Sequence, residues 1–583
     1  MVDLYKRKFT AITSLFLFIL LTISSGHLNA QFIQAQPDPD LPENFPEIKV
    51  TTMENPTPGN LFIGPFGLWG MYTDVDSYMT IIDNYGHSIF YKKILHNSMN
   101  DLKLQANGQI TYADGSGPRN YVLNEKMEIV DSLKPVGYWT DLHEVIITQD
   151  NRKFLLGIDT RVVDMSEIVE GGQEDAVVMG HVVQEWDADN TVIFEWNAWD
   201  HYDILDSEPY IDLTRSTIDF SHINTIEPDT DTSLLVLARN MNEITKIDRR
   251  SGEIIWRMGG INNEFTFIND TLQWAWPHDI RKIGDGLFSM FDNGRFNTPA
   301  PHFSSGVIYE IDEHAKTITQ IKRFRNEPDV YGDIMGNFQH LDNGHFIAGW
   351  GSGSHPDSIG ITEFTADGDI AHVVKMGAIN YRAWKFNWQP KLFSANQDTF
   401  ELGELVHETW LSKNITINNH ADYEVQLTSY HFRFGHFEME TEFPMMLPAN
   451  GSTEITVKFQ PDEAGNFEDA LTIHSTNEEN TQRIGRQIYL KASAQEGFGI
   501  GENNIAIRKI RPNPATDAIT INFSKNITGE CRIMDLTGSS IKKSYIENSR
   551  IVKTSVSDLP GGLYFIYVYT TENQIITSKF IKH

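Results

Sequence analysis

Three histidines occupy the same place in a recurring pattern. His143, His222 and His278 each stand seven residues before an acidic turn, at Asp150-Asn151, Asp229-Thr230 and Asp285-Gly286, and an apolar run follows each turn. One histidine alone is most simply a satisfied core or surface residue. Three at one phase of a repeat are brought to one place by any fold that stacks the repeats around an axis. Asn224 lies two residues after His222, and Arg239 ends the run Leu235-Val-Leu-Ala-Arg239, one turn and one strand further on. Trp276-Pro-His278 leads into Phe291-Asp-Asn-Gly-Arg295. Clustered imidazoles can attack an electrophile and carry protons, and an arginine beside them presents a planar fork to an anionic group.

The elements that must position these residues are strands. From about residue 51 to 395, short turns containing Asp, Asn or Gly alternate with runs of about five mostly apolar residues, as in Gln105-Ala-Asn-Gly-Gln-Ile-Thr-Tyr112 and Leu341-Asp-Asn-Gly-His-Phe-Ile-Ala348. Asp-Gly and Asn-Gly turns between β-branched and aromatic runs mark hairpins. Hairpins repeated over this length without helical periodicity predict a β-propeller. At roughly 45–60 residues per blade, six blades fit best, with five or seven also compatible. In such a fold the three histidines face one mouth of a central channel.

Several other chemistries are excluded. The chain has 583 residues, a formal charge of −32 and one cysteine, Cys531. A strongly negative field repels phosphate backbones, so nucleic acid is not an expected partner. One cysteine forms no internal disulfide and no multi-thiolate zinc site. His143-Glu144 lacks the second histidine of a zinc helix, Asp229-Thr-Asp231 lacks the remainder of a calcium loop, and no glycine-rich lysine loop is present. No metal or cofactor is expected. His181, His201 and His340 read as structural, Phe291 as core, and Trp274, Trp276 and Phe296 as core or as walls of an aromatic pocket.

The ends of the chain speak of export. Lys6, Arg7 and Lys8 precede the apolar run Leu15–Leu21, and Leu28-Asn-Ala30 supplies a small residue, so residues 1–30 read as a signal peptide. No other stretch is apolar enough to span a bilayer, and no stable span is expected after cleavage. Residues 31–50 are Pro- and acid-rich and suit a flexible spacer. Residues 396–497 alternate as strands, with Ser452-Thr-Glu-Ile-Thr-Val-Lys-Phe459 as an example, and suit an immunoglobulin-like β-sandwich. Residues 498–583 resemble the C-terminal sorting domain of the type IX secretion system, at Ile510-Arg-Pro-Asn-Pro-Ala515, Met534-Asp-Leu-Thr-Gly538 and Leu559-Pro-Gly-Gly-Leu-Tyr-Phe565. That resemblance implies a small β-sandwich handled by the type IX machinery, and a secreted or cell-surface protein. Residues 503–583 hold 11 Lys and Arg against 6 Asp and Glu, so this tail carries +5 while the rest of the chain carries −37.

Residues 54–388 resemble the bacterial arylsulfotransferases. The matching stretches are Pro58-Gly-Asn-Leu-Phe-Ile63, Ile81-Ile-Asp-Asn-Tyr-Gly86, Asp219-Phe-Ser-His-Ile-Asn-Thr225 with its spacing to Arg239, Trp256-Arg-Met-Gly-Gly260, and His278 running into Phe291-Asp-Asn-Gly294. The resemblance implies transfer of a sulfuryl group from a phenolic sulfate ester to a phenol acceptor, without a nucleotide donor, by a ping-pong route through a sulfohistidine. On it His278 is the nucleophile, His222, Arg239 and His143 complete the catalytic set, and Asn224, Asn293 and Arg295 hold substrate. The chain departs from the family's pattern in having no cysteine pair and in placing Pro277 before His278. Two other readings stand beside it: a non-catalytic propeller acting as adhesin or glycan-binding surface protein, and an aryl sulfate hydrolase.

Overall fold

The computed structural model describes residues 35–583 apart from 68–74, 95–100, 116, 118, 297–300, 354–357, 407–409, 462–463, 496–505 and 572–573. The signal peptide expected at 1–30 lies outside the described residues. Among these residues the regular structure is strand, with five three-residue 3-10 turns and no α-helix.

Between residues 60 and 386, six antiparallel sheets follow one another, each built on four strands in up-and-down order. The Asn-Gly turns that mark the hairpins hold their glycines in the left-handed region, with φ of 87° at Gly108 and 85° at Gly344. The sixth sheet joins the two ends of the run. Its innermost strand, Ile379–Phe386, comes from the end and pairs with Asn60–Phe66 from the beginning, Phe62 opposite Trp384. Strands such as Ser233–Ala238 are buried along their whole length, because each sheet is covered on both faces by its neighbours. Phe154, Leu156 and Val183 of one sheet accordingly share a core with Ile226, Leu234 and Val236 of the next.

The innermost strands carry buried charges among their apolar side chains. Arg382, fully buried, lies 3.1 Å from Glu144, 3.3 Å from Asp101 and 3.8 Å from Asp279. Arg281 pairs with Glu144, Asp279 and Glu227, and Lys103 with Asp101 and Glu144. Each charge therefore has partners of opposite sign, the condition under which burial is tolerated.

The β-sandwich is not joined to this body by a flexible link. Gln482–Gln495 pairs with Ser88–Ile94, the outer strand of the closing sheet, and so extends that sheet through Gly465–Thr476 to Ser429–Phe432. Phe62 and Phe90 share one core with Ile415, Val457 and Ile488. The expectation of a flexible spacer at 31–50 also fails over its described part. Asp38 accepts from the Ser88 N–H at 2.8 Å and from Arg483 at 2.9 Å, Phe45 packs on Tyr78 and Tyr91, and Ile48–Met53 adds a strand beside Ile370–Met376. The prolines rule out helix but leave the segment free to lie extended in a groove.

The tail has its own core around Ile519, Phe523, Ile533, Ile566 and Phe580. In this tail, expected as a small β-sandwich, Ala518–Met534 runs through both halves. Its first part pairs with Ile507–Arg511, its last with Gly562–Thr570, and Ser540–Ser555 follows it throughout, making one five-stranded sheet.

Where the body meets the sandwich, His431 and His474 are buried with Nδ1 and Nε2 2.9 Å apart, and the His87 ring lies 4.8 Å from that of His431. Burial, with His87 adding, pushes His431 down to about 3, and burial with Arg483 holds His474 well below the usual range. Both values lie below those of the unfolded chain, so the stability involved is whole above about pH 6.5 and is lost as pH falls toward 3. The loss is at most about 1.4 kcal/mol per pH unit for each ring. Thermal melts followed by circular dichroism should show the midpoint falling steeply between about pH 6 and pH 4, and a His431→Gln/His474→Gln variant should show a shallower fall.

Candidate functional site

The three phase-matched histidines lie in or directly before the innermost strands of their sheets. His143 lies in Trp139–Ile147, His222 directly precedes Ile223–Thr230, and His278 begins His278–Gly284. The rings of His143 and His222 are 4.7 Å apart, and that of Tyr381 is 5.8 Å from His143. Arg239 follows Ser233–Ala238, and its backbone N–H donates to the His222 carbonyl at 3.0 Å. Its Nε donates to Asn240 at 3.1 Å, which leaves the two Nη atoms without a hydrogen-bond partner among the described residues.

Each imidazole has its own orienting group. The Nδ1 of His143 lies 2.6 Å from Asp141 Oδ1, and that of His222 is bonded to Asp219. Both carboxylates also accept their histidine's backbone N–H, at 2.8 Å and 3.0 Å. A carboxylate only accepts, so each ring presents Nδ1–H to it and keeps Nε2 as the free nitrogen. His222 Nε2 is buried with no hydrogen-bond partner. His278 differs: its Nδ1 lies 2.7 Å from the amide oxygen of Asn293 and 3.1 Å from the Trp276 carbonyl, two acceptors without charge.

Charge follows from this. Burial drives His278 well below the ordinary histidine range, and Arg239 pushes it further down. Burial and Arg239 hold His222 at about 3 despite Asp219. Burial lowers Arg239 itself to about 10, with Arg295 adding to the fall and Asp219 opposing it. At neutral pH the set is two neutral rings beside a guanidinium, with Asp141 and Asp219 held ionised by the histidines around them.

The motif Phe291-Asp-Asn-Gly294 acquires a physical reading. Asp292 accepts from the backbone N–H groups of Ala275 and Gly294, both at 3.0 Å, and binds Arg323 at 2.6 Å, so it staples the segment before His278 to the one carrying Asn293. Both amide hydrogens of Asn293 go to the Gly332 and Met335 carbonyls. Asn293, expected to bind substrate, therefore has no donor left and instead sets the His278 ring. Asn224 is buried and donates to the Pro277 carbonyl at 3.0 Å, which leaves one amide hydrogen. Backbone strain is stored around the site: His222, Trp276 and Asp279 have φ of 47°, 58° and 58°.

Arg239 and Arg295 lie against the Trp276 ring, at 4.3 and 4.0 Å from its centroid. Arg295 also pairs with Asp333 at 3.1 Å, which places it at the rim. Tyr210, Trp276 and Phe296 form an aromatic group, Tyr210 stacked on Phe296 at 4.4 Å and Phe296 about half exposed. Trp274 packs in the core with Tyr309.

Sequence reasoning missed Asp141, Asp219, Tyr210, Tyr381, Arg382 and His181. The two aspartates had a signal, an acid two or three residues before a phase-matched histidine. Arg382 donates to the His143 and Asn224 carbonyls at 3.2 and 2.9 Å. His181 was taken as structural, yet it stands between Asp141 and Asp219.

Residues 106–377 match the family model described as arylsulfotransferase (ASST). Residues 391–490 match the HYDIN/CFA65/VesB-like Ig-like domain and 509–583 the secretion system C-terminal sorting domain. No curated protein matches the chain. Among solved structures it is similar to a protein of unknown function from Bacteroides caccae, with 10% identity over 57% of this chain and 99% of that one and a TM-score of 0.37. It is also similar to a streptogramin B lyase, with 12% identity over 56% and 87% and a TM-score of 0.30. Against the PapD-like domain 7 of human CEP192 the figures are 11% identity over 18% and 87%, and a TM-score of 0.16. These TM-scores are too low to carry an argument. No helix of the described residues is long and apolar enough to cross a membrane, and the sorting domain implies secretion or cell-surface export by the type IX machinery. The chain thus matches the arylsulfotransferase family model over residues 106–377, and after it the models of an Ig-like domain and of a secretion system C-terminal sorting domain.

Proposed function

We propose that this protein is an exported arylsulfotransferase that moves a sulfuryl group from a phenolic sulfate ester to a phenol through a sulfated His278. We take the six sheets as the blades of a closed six-bladed propeller, with the site at one mouth of its channel. The observation that carries the reading is the neutral His278 ring, its tautomer set by Asn293, beside the unpartnered Nη atoms of Arg239.

With Nδ1–H given to Asn293, the lone pair of His278 is on Nε2. Nε2 attacks sulfur as the ester S–O bond breaks, giving an N-sulfonated imidazole and a phenolate. The transition state is loose, with charge on three equatorial oxygens, so fixed donors do most of the work. Arg239 supplies a fork and Asn224 one amide hydrogen. The Nε2–H of a protonated His143, its charge offset by Asp141, returns a proton to the leaving phenolate. In the second half the same nitrogen takes the proton of the incoming phenol, whose oxygen attacks sulfur while the N–S bond breaks. Atoms and charge balance over the cycle. The group of Tyr210, Trp276 and Phe296 suits an aromatic substrate body.

Incubation with a chromogenic aryl sulfate and no acceptor should give a stoichiometric burst of phenol and a sulfated His278 peptide by mass spectrometry. Turnover should then depend on added phenol, and His278→Ala should abolish burst, adduct and turnover. Release that ignores the acceptor would identify a hydrolase instead, and no release from several aryl sulfates would leave a binding module.

Arg239→Ala should lower kcat about 10²–10³-fold, equivalent to about 2.7–4 kcal/mol, with Arg239→Lys recovering only part because it lacks the planar fork. The depressed His278 stays neutral where an ordinary histidine has charged, so the burst rate should hold level from about pH 7.5 down to about pH 5. A fall centred near pH 6.5 would contradict the assigned nucleophile.

A further inference from the structure

We infer that His181 is a positioning residue for this site, a clamp that ties the Asp141–His143 and Asp219–His222 pairs into one unit. The inference rests on the sulfuryl-transfer reading for its catalytic consequence but not for the clamp itself.

His181 lies in the strand Ala176–Trp186 and is almost fully buried. Its Nε2 faces Asp141 Oδ2 at 3.4 Å, on the oxygen that His143 does not use. Its Nδ1 lies 3.0 Å from the Ser221 hydroxyl and 4.0 Å from Asp219 Oδ1. The two carboxylates that orient His143 and His222 therefore converge on opposite nitrogens of one ring, which lies 6.1 Å from the ring of His222. In the neutral ring Nε2–H points to Asp141 and Nδ1 accepts from the Ser221 hydroxyl, so no N–H faces Asp219. Carboxylates near both nitrogens favour the imidazolium, in which Nδ1–H is turned toward Ser221 and Asp219. Asp141 and Asp219 raise His181 against the opposing effects of burial and Arg239, in accord with that geometry.

The charge count shows what the clamp does. Asp141 and Asp219 carry two negative charges, and His181 and Arg239 carry two positive ones, while His222 and His278 are neutral. With His181 charged, the two carboxylates are thus balanced by two cations before substrate arrives. Without the His181 charge the site is negative before substrate arrives. One carboxylate then takes up a proton, and a protonated carboxyl no longer requires Nδ1–H from its histidine. The tautomer that leaves Nε2 free is lost on one of the two carboxylate-backed rings.

The full chain labelled with 15N-histidine should show the His181 ring doubly protonated at pH 7.5, assigned by difference from His181→Asn or His181→Gln, whichever folds. In the aryl sulfate assay His181→Asn should lower kcat about tenfold, a loss of about 1.4 kcal/mol, with a smaller change in KM. The acid limb of its kcat/KM profile should move up by about one pH unit, which a merely structural role would not produce. A neutral His181 ring at pH 7.5, or an unmoved acid limb in an active variant, overturns the clamp. Wild-type protein inactive on aryl sulfates but with a doubly protonated His181 would remove the transferase reading and leave the clamp standing.

Discussion

One buried guanidinium ties the innermost strands together. Arg382 issues from the closing sheet and reaches Asp101, Glu144, Asp279 and the carbonyls of His143 and Asn224, so a single side chain touches segments belonging to four other sheets. Arg382, Arg281 and Lys103 face Asp101, Glu144 and Asp279, three charges against three, and Glu227 beside them is raised by burial to about 7. Removing one member would strand a charge in a dry interior at about 3–5 kcal/mol, whereas the intact network adds little net stability. Its consequence is positional. Glu144 is the chain neighbour of His143 and Asp279 that of His278, so the network that holds the strands also sets the two backbones from which the imidazoles project.

Three similar side chains are given different chemistry by what lies behind them. A carboxylate behind His143 and His222 stabilises a ring that gains a proton, whereas an amide oxygen behind His278 fixes the tautomer without favouring the cation. The guanidinium in front lowers His278 further. On the proposed reading, the nucleophile His278 and the proton carrier His143 are thus separated by partner and not by residue type.

The surrounding architecture bears on the site through continuity of backbone. The sandwich shares a sheet and a core with the closing sheet, and the segment carrying Asp38 and Phe45 lies against both. Opening this junction by acid would disturb the sheet that carries Arg382 and Tyr381. The tail stands apart in charge as well as in core, basic against an acidic remainder.

The sequence by itself determined the all-β class, the hairpin turns, the sorting tail and the phase of His143, His222 and His278, because these depend on local spacing and turn chemistry. Each histidine stands seven residues before its own acidic turn, and a repeat of fixed phase needs no long-range information. Only the tertiary structure decided what stands behind each ring. Asn293 reaches His278 through strand register, and its donors are used up by carbonyls 39 and 42 residues away. Arg382 meets Asn224 across 158 residues, and His181 faces Asp219 on a strand that pairs with its own only after an intervening hairpin and loop. Those contacts depend on how successive sheets face one another, and residue type alone leaves His181 indistinguishable from any buried histidine. The fusion of sandwich and sheet was hidden for the same reason: an edge strand reads alike whether it meets solvent or another domain.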